Sequence, residues 1–335
     1  MEFRVFLAAA IACLSVNVPS AFAQTREPWT ITLMLENDSF FLIDDLHYTN
    51  GLYASATSGA KAECGFCRAI SRATMLPPGE GSKTYRYGFF LGQSMFTPED
   101  LSLSVPDSSD RPYAGWLHAG ARVFRQSGRM LDKFEVAVGL VGHGSGADAV
   151  QRLWHALHWF GGVPPEGWHA QIKDEPGIVI TEQRIWRKTI IEGPIGVEML
   201  PQAKLSLGNV MTAAAAGVTF RFGGNLKSDW GAPRIAPALE GSDFVDFGAA
   251  GDFAWYFFAG FEGRAVARNI FLDGNTLQHS ASVAKLPFVA DFSVGAAAII
   301  ASKIRASVSY TERSREFRAQ SRNDNFLSVA VSYSY

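Results

Sequence analysis

Two groups of side chains in this 335-residue sequence have the types and spacing for chemistry. The first lies in GSGADAVQRLWHALHWFGG, residues 144–162, where Gln151 and His155 stand four apart and His158 follows three further on. Val150, Leu153, Trp154 and Leu157 recur there at helical spacing, so Gln151 and His155 are expected on one face of a short amphipathic helix. Ser145 or Asp148 can cap its start and Gly161-Gly162 ends it. An imidazole beside an amide is a general base with an orienting partner. A solvated helix face would present the same residues, so the pair gains meaning only from its company. That company is LENDSFF and YTNG, which place Glu36, Asn37, Asp38, Thr49 and Asn50 at the adjoining ends of two strand-like segments. Clustered carboxylate, amide and hydroxyl oxygens are hard ligands that suit Ca²⁺, although Asn and Asp also cap hairpins with no further role.

Other nucleophiles are poorer candidates. Gly144-Ser145-Gly146 has His143 and Ala147 where a G-x-S-x-G elbow needs glycines, and no strand-to-helix α/β pattern surrounds it. Cys64 and Cys67 form a C-x-x-C without a βαβ context, and in an oxidising compartment a local disulfide is the expected state. Water activated by histidine, with a cation stabilising the oxyanion, is then the simpler scheme for ester hydrolysis.

The elements that must position these residues read as strands. The chain opens with Arg4, an apolar stretch from Val5 to Val16, and Ala21 and Ala23 around Phe22, the pattern of a cleavable secretory signal over residues 1–23. The rest, 24–335, has no long apolar run but alternates with period two. In FLSVAVSYSY, Leu327, Val329, Val331, Tyr333 and Tyr335 share one face and Ser328, Ala330, Ser332 and Ser334 the other. Phe253, Trp255, Phe257 and Phe261 oppose Glu262, Arg264 and Arg268, and Tyr85, Tyr87, Phe89 and Leu91 form another apolar stripe. Large apolar against small polar or charged describes strands between lipid and a wet lumen.

Turn signals cut the chain into about twelve strands, the even number bacterial barrels use. They fall near 28–41, 48–58, 84–97, 114–126, 132–143, 178–191, 196–208, 212–223, 252–268, 287–300, 304–318 and 326–335. The fold class is therefore all-β, a transmembrane antiparallel barrel with a short helix in the third extracellular loop. Two long connections, 59–83 and 224–251, fall on the periplasmic side. With Leu33 and Leu35 toward lipid, Asn37 turns outward and Asp38 inward, so a site there straddles the wall and is reachable from the bilayer. A formal charge of −2 without a basic face argues against nucleic acid as a partner.

In this order LENDSF, YTNG, LGQSMFTPEDL, DRPYAGWL, G-S-G-A-x-x-V-Q-x-x-x-H, EGWHAQIKDEPG, FLDGNT and TERSREFRAQ resemble the lipid A 3'-O-deacylase (LpxR) family. The resemblance spans nearly all of the chain after the leader. It implies a monomeric, multi-pass barrel of the Gram-negative outer membrane. Such a barrel hydrolyses the 3'-linked acyloxyacyl ester of lipid A, in lipopolysaccharide of the outer leaflet, with Ca²⁺ as cofactor. By motif it assigns His155 as general base and Gln151 as an orienting or substrate-contacting group. Asn37 and Asp38 serve cation and oxyanion, and Thr49 is a supporting contact. The chain departs from the family where a glutamate is expected past the histidine: Gly161 stands there and Glu166 is the next acid. Arg111 alone offers a match to the family's cationic residues of the second loop. A non-catalytic barrel or channel, and a phospholipase on the same scaffold, are the readings left open.

Overall fold

The computed structural model describes residues 28–38, 47–61, 63–74, 81–156, 164–235 and 241–335, and of 71–73 and 154–156 the backbone alone. The expected leader, 1–23, lies outside the described residues, as do His158 and Gly161.

The barrel strands are β1 Thr30–Asn37, β2 His47–Thr57, β3 Lys83–Thr97, β4 Ala114–Ser127, β5 Met130–Val141 and β6 Glu175–Trp186. They continue as β7 Gly196–Gly208, β8 Met211–Gly224, β9 Phe253–Asn269, β10 Phe288–Ile300, β11 Ile304–Arg313 and β12 Asp324–Ser334. A short piece, Lys188–Ile191, extends β6 along the same neighbour, β7, so the thirteen hydrogen-bonded segments make twelve barrel strands. All neighbours are antiparallel, β1 pairs with β12, and β6 pairs with β7 to close the cylinder. Closure satisfies every strand's backbone groups, the condition for crossing hydrocarbon. Among the described residues no helix is long and apolar enough to cross a membrane.

The alternation read from the sequence sets the two faces. Phe89, Leu91, Phe257 and Phe261 are each more than half exposed, whereas Glu262 and Arg264 are 1% and 4% exposed in the lumen. Along β12 the serines are buried and Val329 and Tyr335 are exposed. Two strands end sooner than expected. β11 ends at Arg313 because the ladder becomes irregular there: Ser314 N–H still donates to Ala290 O, the register then shifts, and pairing resumes only as a bridge between Lys285 and the buried Phe317. β6 breaks at Arg187, whose guanidinium turns inward to the carbonyls of Lys227 and Asp229 and stacks on Trp230.

The long periplasmic connections are both folded. Residues 59–83 carry helix α1 (Gly65–Ala73), whose first turn is bridged by a Cys64–Cys67 disulfide, the expected state of that pair. The described residues of the second connection, 225–235 and 241–251, enter the lumen as a plug. Trp230 and Phe244 pack with Phe124, Leu131, Ile185 and Leu200, and Ile235 packs with Met34 and Ala330. Buried ion pairs seat the plug: Asp229 takes Arg221 and Arg305, Asp243 takes Arg122, and Arg234 takes Glu36.

Candidate active site

Helix α2 (Ala147–Ala156) occupies the third outer loop, close to the span read from its periodicity, after a 3₁₀ turn at His143–Ser145. The strand registers locate it. Asn37 stands opposite Asn50, Asn50 opposite Met95, and Met95 opposite Gly115. Residues directly opposite across a ladder share a face. Met95 shares its face of β3 with Phe89 and Leu91, so the row lies on the lipid side of the wall. Neighbouring strands are about 4.8 Å apart, which puts Asn37 roughly 14 Å from Gly115 along the rim.

Over Gly115 sits the start of α2. A Cβ at Gly115 would meet Ser145 Oγ at 2.1 Å and Ala147 Cβ at 2.5 Å, so only glycine admits the helix to the wall. Met95, Leu101, Tyr113, Ala147 and Trp168 form the buried contact, with Val150 against it. Gln151 is 2% exposed and its Oε1 accepts from Trp168 Nε1 at 2.6 Å. This is not a solvated helix face: Gln151 is a buried, oriented amide. His155 lies one turn on in the same helix; its side chain lies outside the described residues.

At the other end of the row, Asn37 Nδ2 donates to Thr49 O at 2.8 Å, fixing which way the amide oxygen faces. Thr49 Oγ1 lies 2.7 Å from Thr97 Oγ1. Asn37, Asp38, Thr49 and Asn50 are all at most 4% exposed. Glu36 belongs elsewhere: it turns into the lumen to accept from Tyr48 Oη and Arg234 Nε. The structure thus brings Asn37, Thr49 and Asn50 together, with the buried Asp38 next in the chain, and sets the start of the helix that carries Gln151 across Met95 from Asn37 and Asn50. Among the described residues no three acidic, His or Cys side chains converge as a metal cluster. The donors here are one carboxylate, Asp38, with amide and hydroxyl oxygens, and Asn50 Oδ1 is buried without a hydrogen-bond partner among the described residues. Such a set fits a weakly held Ca²⁺ that completes its shell with water or substrate oxygen, and fits zinc poorly.

Sequence reasoning missed what holds this corner. His47 starts β2 in the left-handed region (φ 54°) and is 1% exposed. Its Nδ1 lies 2.5 Å from Asp324 Oδ1 and its Nε2 3.4 Å from Asp110 Oδ1. Gln320 Nε2 donates to the same Asp324 oxygen at 3.0 Å, and Phe317 meets the ring edge-on at 5.3 Å. Burial opposes the charge of Asp110, yet hydrogen bonds from His47 and the Glu99 N–H hold its carboxyl below the usual range. The β2–β3 register shifts between His47 and Asn50, so this clamp secures the irregular turn of chain that carries Thr49. His47→Ala should lower the cost of opening this corner by about 1–3 kcal/mol, since it strands the buried Asp324 carboxylate. Faster amide exchange confined to residues 48–50 and 320–326 is the expected reading. The motif YTNG drew attention to the residues after His47; nothing local marks a histidine whose partners are 63 and 277 residues away.

A family model described as outer membrane protein LpxR matches residues 5–335. The chain belongs to the LpxR family of outer membrane proteins. Among solved structures, LpxR from Salmonella typhimurium superposes with a TM-score of 0.73 at 17% identity, over 91% of this chain and 99% of that one. At that identity the likeness is one of fold. The β domain of the Bordetella autotransporter BrkA has a TM-score of only 0.39 at 12% identity, over 93% of this chain and 99% of that one. The translocator domain of NalP from Neisseria meningitidis scores 0.37 at 12% identity, over 99% and 94%. Among curated proteins none matches. The protein is thus a closed twelve-stranded barrel of the outer membrane. Two residues weighed against the family pattern have defined surroundings. Glu166 is an exposed loop residue whose N–H donates to Leu101 O. Arg111 is fully buried, stacked on Phe96 and 3.3 Å from Glu316, so it knits the loops together and is not presented to a substrate.

Proposed function

We propose that this protein is an outer-membrane esterase that removes the 3'-linked acyl chain of lipid A in the outer leaflet. The observation that supports it best is the row Asn37, Asn50, Met95 and Gly115 on the lipid side of the wall, with buried amides at one end and the start of helix α2 over the other. A soluble substrate would be served by a lumen mouth; a polar site opening sideways at the outer rim suits an ester that arrives in the bilayer.

In this reading His155 takes a proton from water as the water oxygen adds to the ester carbonyl carbon. The ester C–O bond then breaks, the proton passes to the leaving sugar oxygen, and a fatty acid and a free 3-hydroxyl result. Gln151, locked by Trp168, orients the base or the substrate amide and ester groups. Asn37, with its amide fixed by Thr49 O, presents a polar group toward the oxyanion. Asp38 and Asn37 would hold Ca²⁺, which when bound supplies positive charge for the oxyanion.

Cells with defined lipid A that express the chain should yield lipid A shortened at the 3' position by mass spectrometry. A paired assay on phospholipid with the purified protein should show little turnover; preferential phospholipid cleavage would replace this reading by the phospholipase one. Chelation with EDTA should lower lipid A turnover by at least about tenfold, and Ca²⁺ should restore it more fully than Mg²⁺, which resists an irregular oxygen shell. Turnover indifferent to EDTA would remove the cation from the scheme. The plug and its ion pairs speak against the channel reading, for which single-channel recordings should show almost no conductance.

A further inference from the structure

Helix α1 lies on the outside of the barrel. Its Cys67, fully buried, packs against Tyr85 and Val123, with Ile70 and Tyr87 beside them. Tyr85 and Tyr87 alternate along β3 with the exposed Phe89 and Leu91, and Val123 stands opposite Tyr87 in β4. These side chains belong to the lipid-facing surface, so α1 covers a piece of that surface at the periplasmic end. This accounts for Tyr85, an outward residue that is nevertheless 4% exposed. The Cys64–Cys67 bridge and the Cys67 N–H to Cys64 Sγ contact at 3.1 Å fix the helix start against the wall.

Successive residues of a helix are about 100° apart, so with Cys67 and Ile70 against the wall, Phe66 and Arg68 project from opposite flanks. Phe66 is 63% and Arg68 48% exposed, and GFCRAISRA contains no acid. Glu63 lies 3.9 Å from Arg68 and is itself 87% exposed. A bare aromatic ring on one flank and a guanidinium on the other, continuous with a lipid-facing belt, is the amphipathic arrangement of a segment lying in the headgroup layer. We propose that α1 is an interfacial anchor that seats Phe66 among the upper acyl carbons of the periplasmic leaflet and binds anionic phospholipid through Arg68. Its occupancy fixes the depth of the barrel on the side of β3 and β4. The inference is independent of any hydrolase activity.

The test uses the full-length protein in phosphatidylethanolamine vesicles doped with a photoactivatable diazirine lipid, either phosphatidylglycerol or phosphatidylcholine, followed by peptide mapping. Residues 64–70 should be labelled to an extent comparable with Phe89 and Leu91, and by phosphatidylglycerol at least about fivefold more than by phosphatidylcholine, the gain expected of each basic residue at an anionic surface. Arg68→Gln should lower that ratio by about fivefold, and Phe66→Asp should remove labelling of α1 while Phe89 and Leu91 stay labelled, showing that the barrel is intact. An unlabelled α1 beside a labelled β3, equal labelling by the two lipids, or cross-links from α1 to a second copy of the chain would each overturn the proposal.

Discussion

His155→Ala is expected to lower release of the 3'-acyl chain by about 10²- to 10⁴-fold, the range that a positioned general base contributes. The expectation rests on how the residues around it are held. Gln151, one turn earlier in α2, is buried and locked to Trp168, and Trp168 in turn packs on Tyr113, with ring centroids 4.9 Å apart. The start of the helix is clamped over Gly115. A helix pinned in this way delivers its next turn to a fixed place, which general-base catalysis requires because proton transfer needs hydrogen-bond reach. The helix lies in a loop and contributes nothing to the strand ladders, so the variant should keep the compact gel mobility of a folded barrel. His155→Gln, which can hydrogen-bond water but takes up no proton at neutral pH, should be as inactive as alanine. Activity of either variant within about threefold of the parent would remove His155 from the base role, because even the weakest general bases contribute about a hundredfold.

Much of the fold was legible because a barrel wall has a period of two and very few ways to satisfy it. Phe257, Phe261, Glu262 and Arg264 reveal their faces by parity alone, and a strand with charges on one side and phenylalanine on the other has one stable setting between lipid and lumen. Helix α2 announced itself by a change of period. What stayed hidden was formed by contacts distant in sequence. The plug carries no period, and its polar residues find partners only inside a closed cylinder, as Arg234 does with Glu36 across 198 residues. Tyr85 reads as a lipid-facing girdle residue, and no pattern in the strand reveals that α1 covers it. At the site, Asn37, Asp38, Thr49 and Gln151 were found as residue types near strand ends. That Asn37 and the start of the helix carrying Gln151 border one row outside the wall followed only from the register linking Asn50, Met95 and Gly115.

Asp229→Ala should loosen the seating of the plug at this point and raise the conductance of an otherwise silent barrel. Asp229 has no exposed surface and accepts from Arg221, from Tyr256 Oη at 2.8 Å and from Arg305 at 3.3 Å. Deleting the carboxylate leaves Arg305 with Ser242 O and Ser332 Oγ as its hydrogen-bond partners among the described residues, and Arg221 with Glu198 as its acid. Breaking a buried pair from one side costs about 3–5 kcal/mol, because the partner charge stays desolvated. The location of that cost decides the outcome. The strand ladders on either side of Arg221 and Arg305 do not depend on Asp229, whereas the plug at this point is held by the Asp229 carboxylate, by Trp230 under Arg187 and by the Lys227 and Asp229 carbonyls that accept from Arg187. The loss therefore falls on plug docking before it falls on barrel closure. Asp229→Asn keeps an acceptor for Tyr256 and should stay closer to the parent. The measurements are single-channel conductance in planar bilayers and trypsin cleavage after Lys227, both rising in Asp229→Ala, with gel mobility of the folded barrel unchanged. A variant as silent and as resistant as the parent would mean that apolar packing around Trp230 and Phe244, and not the buried charges, keeps the lumen shut.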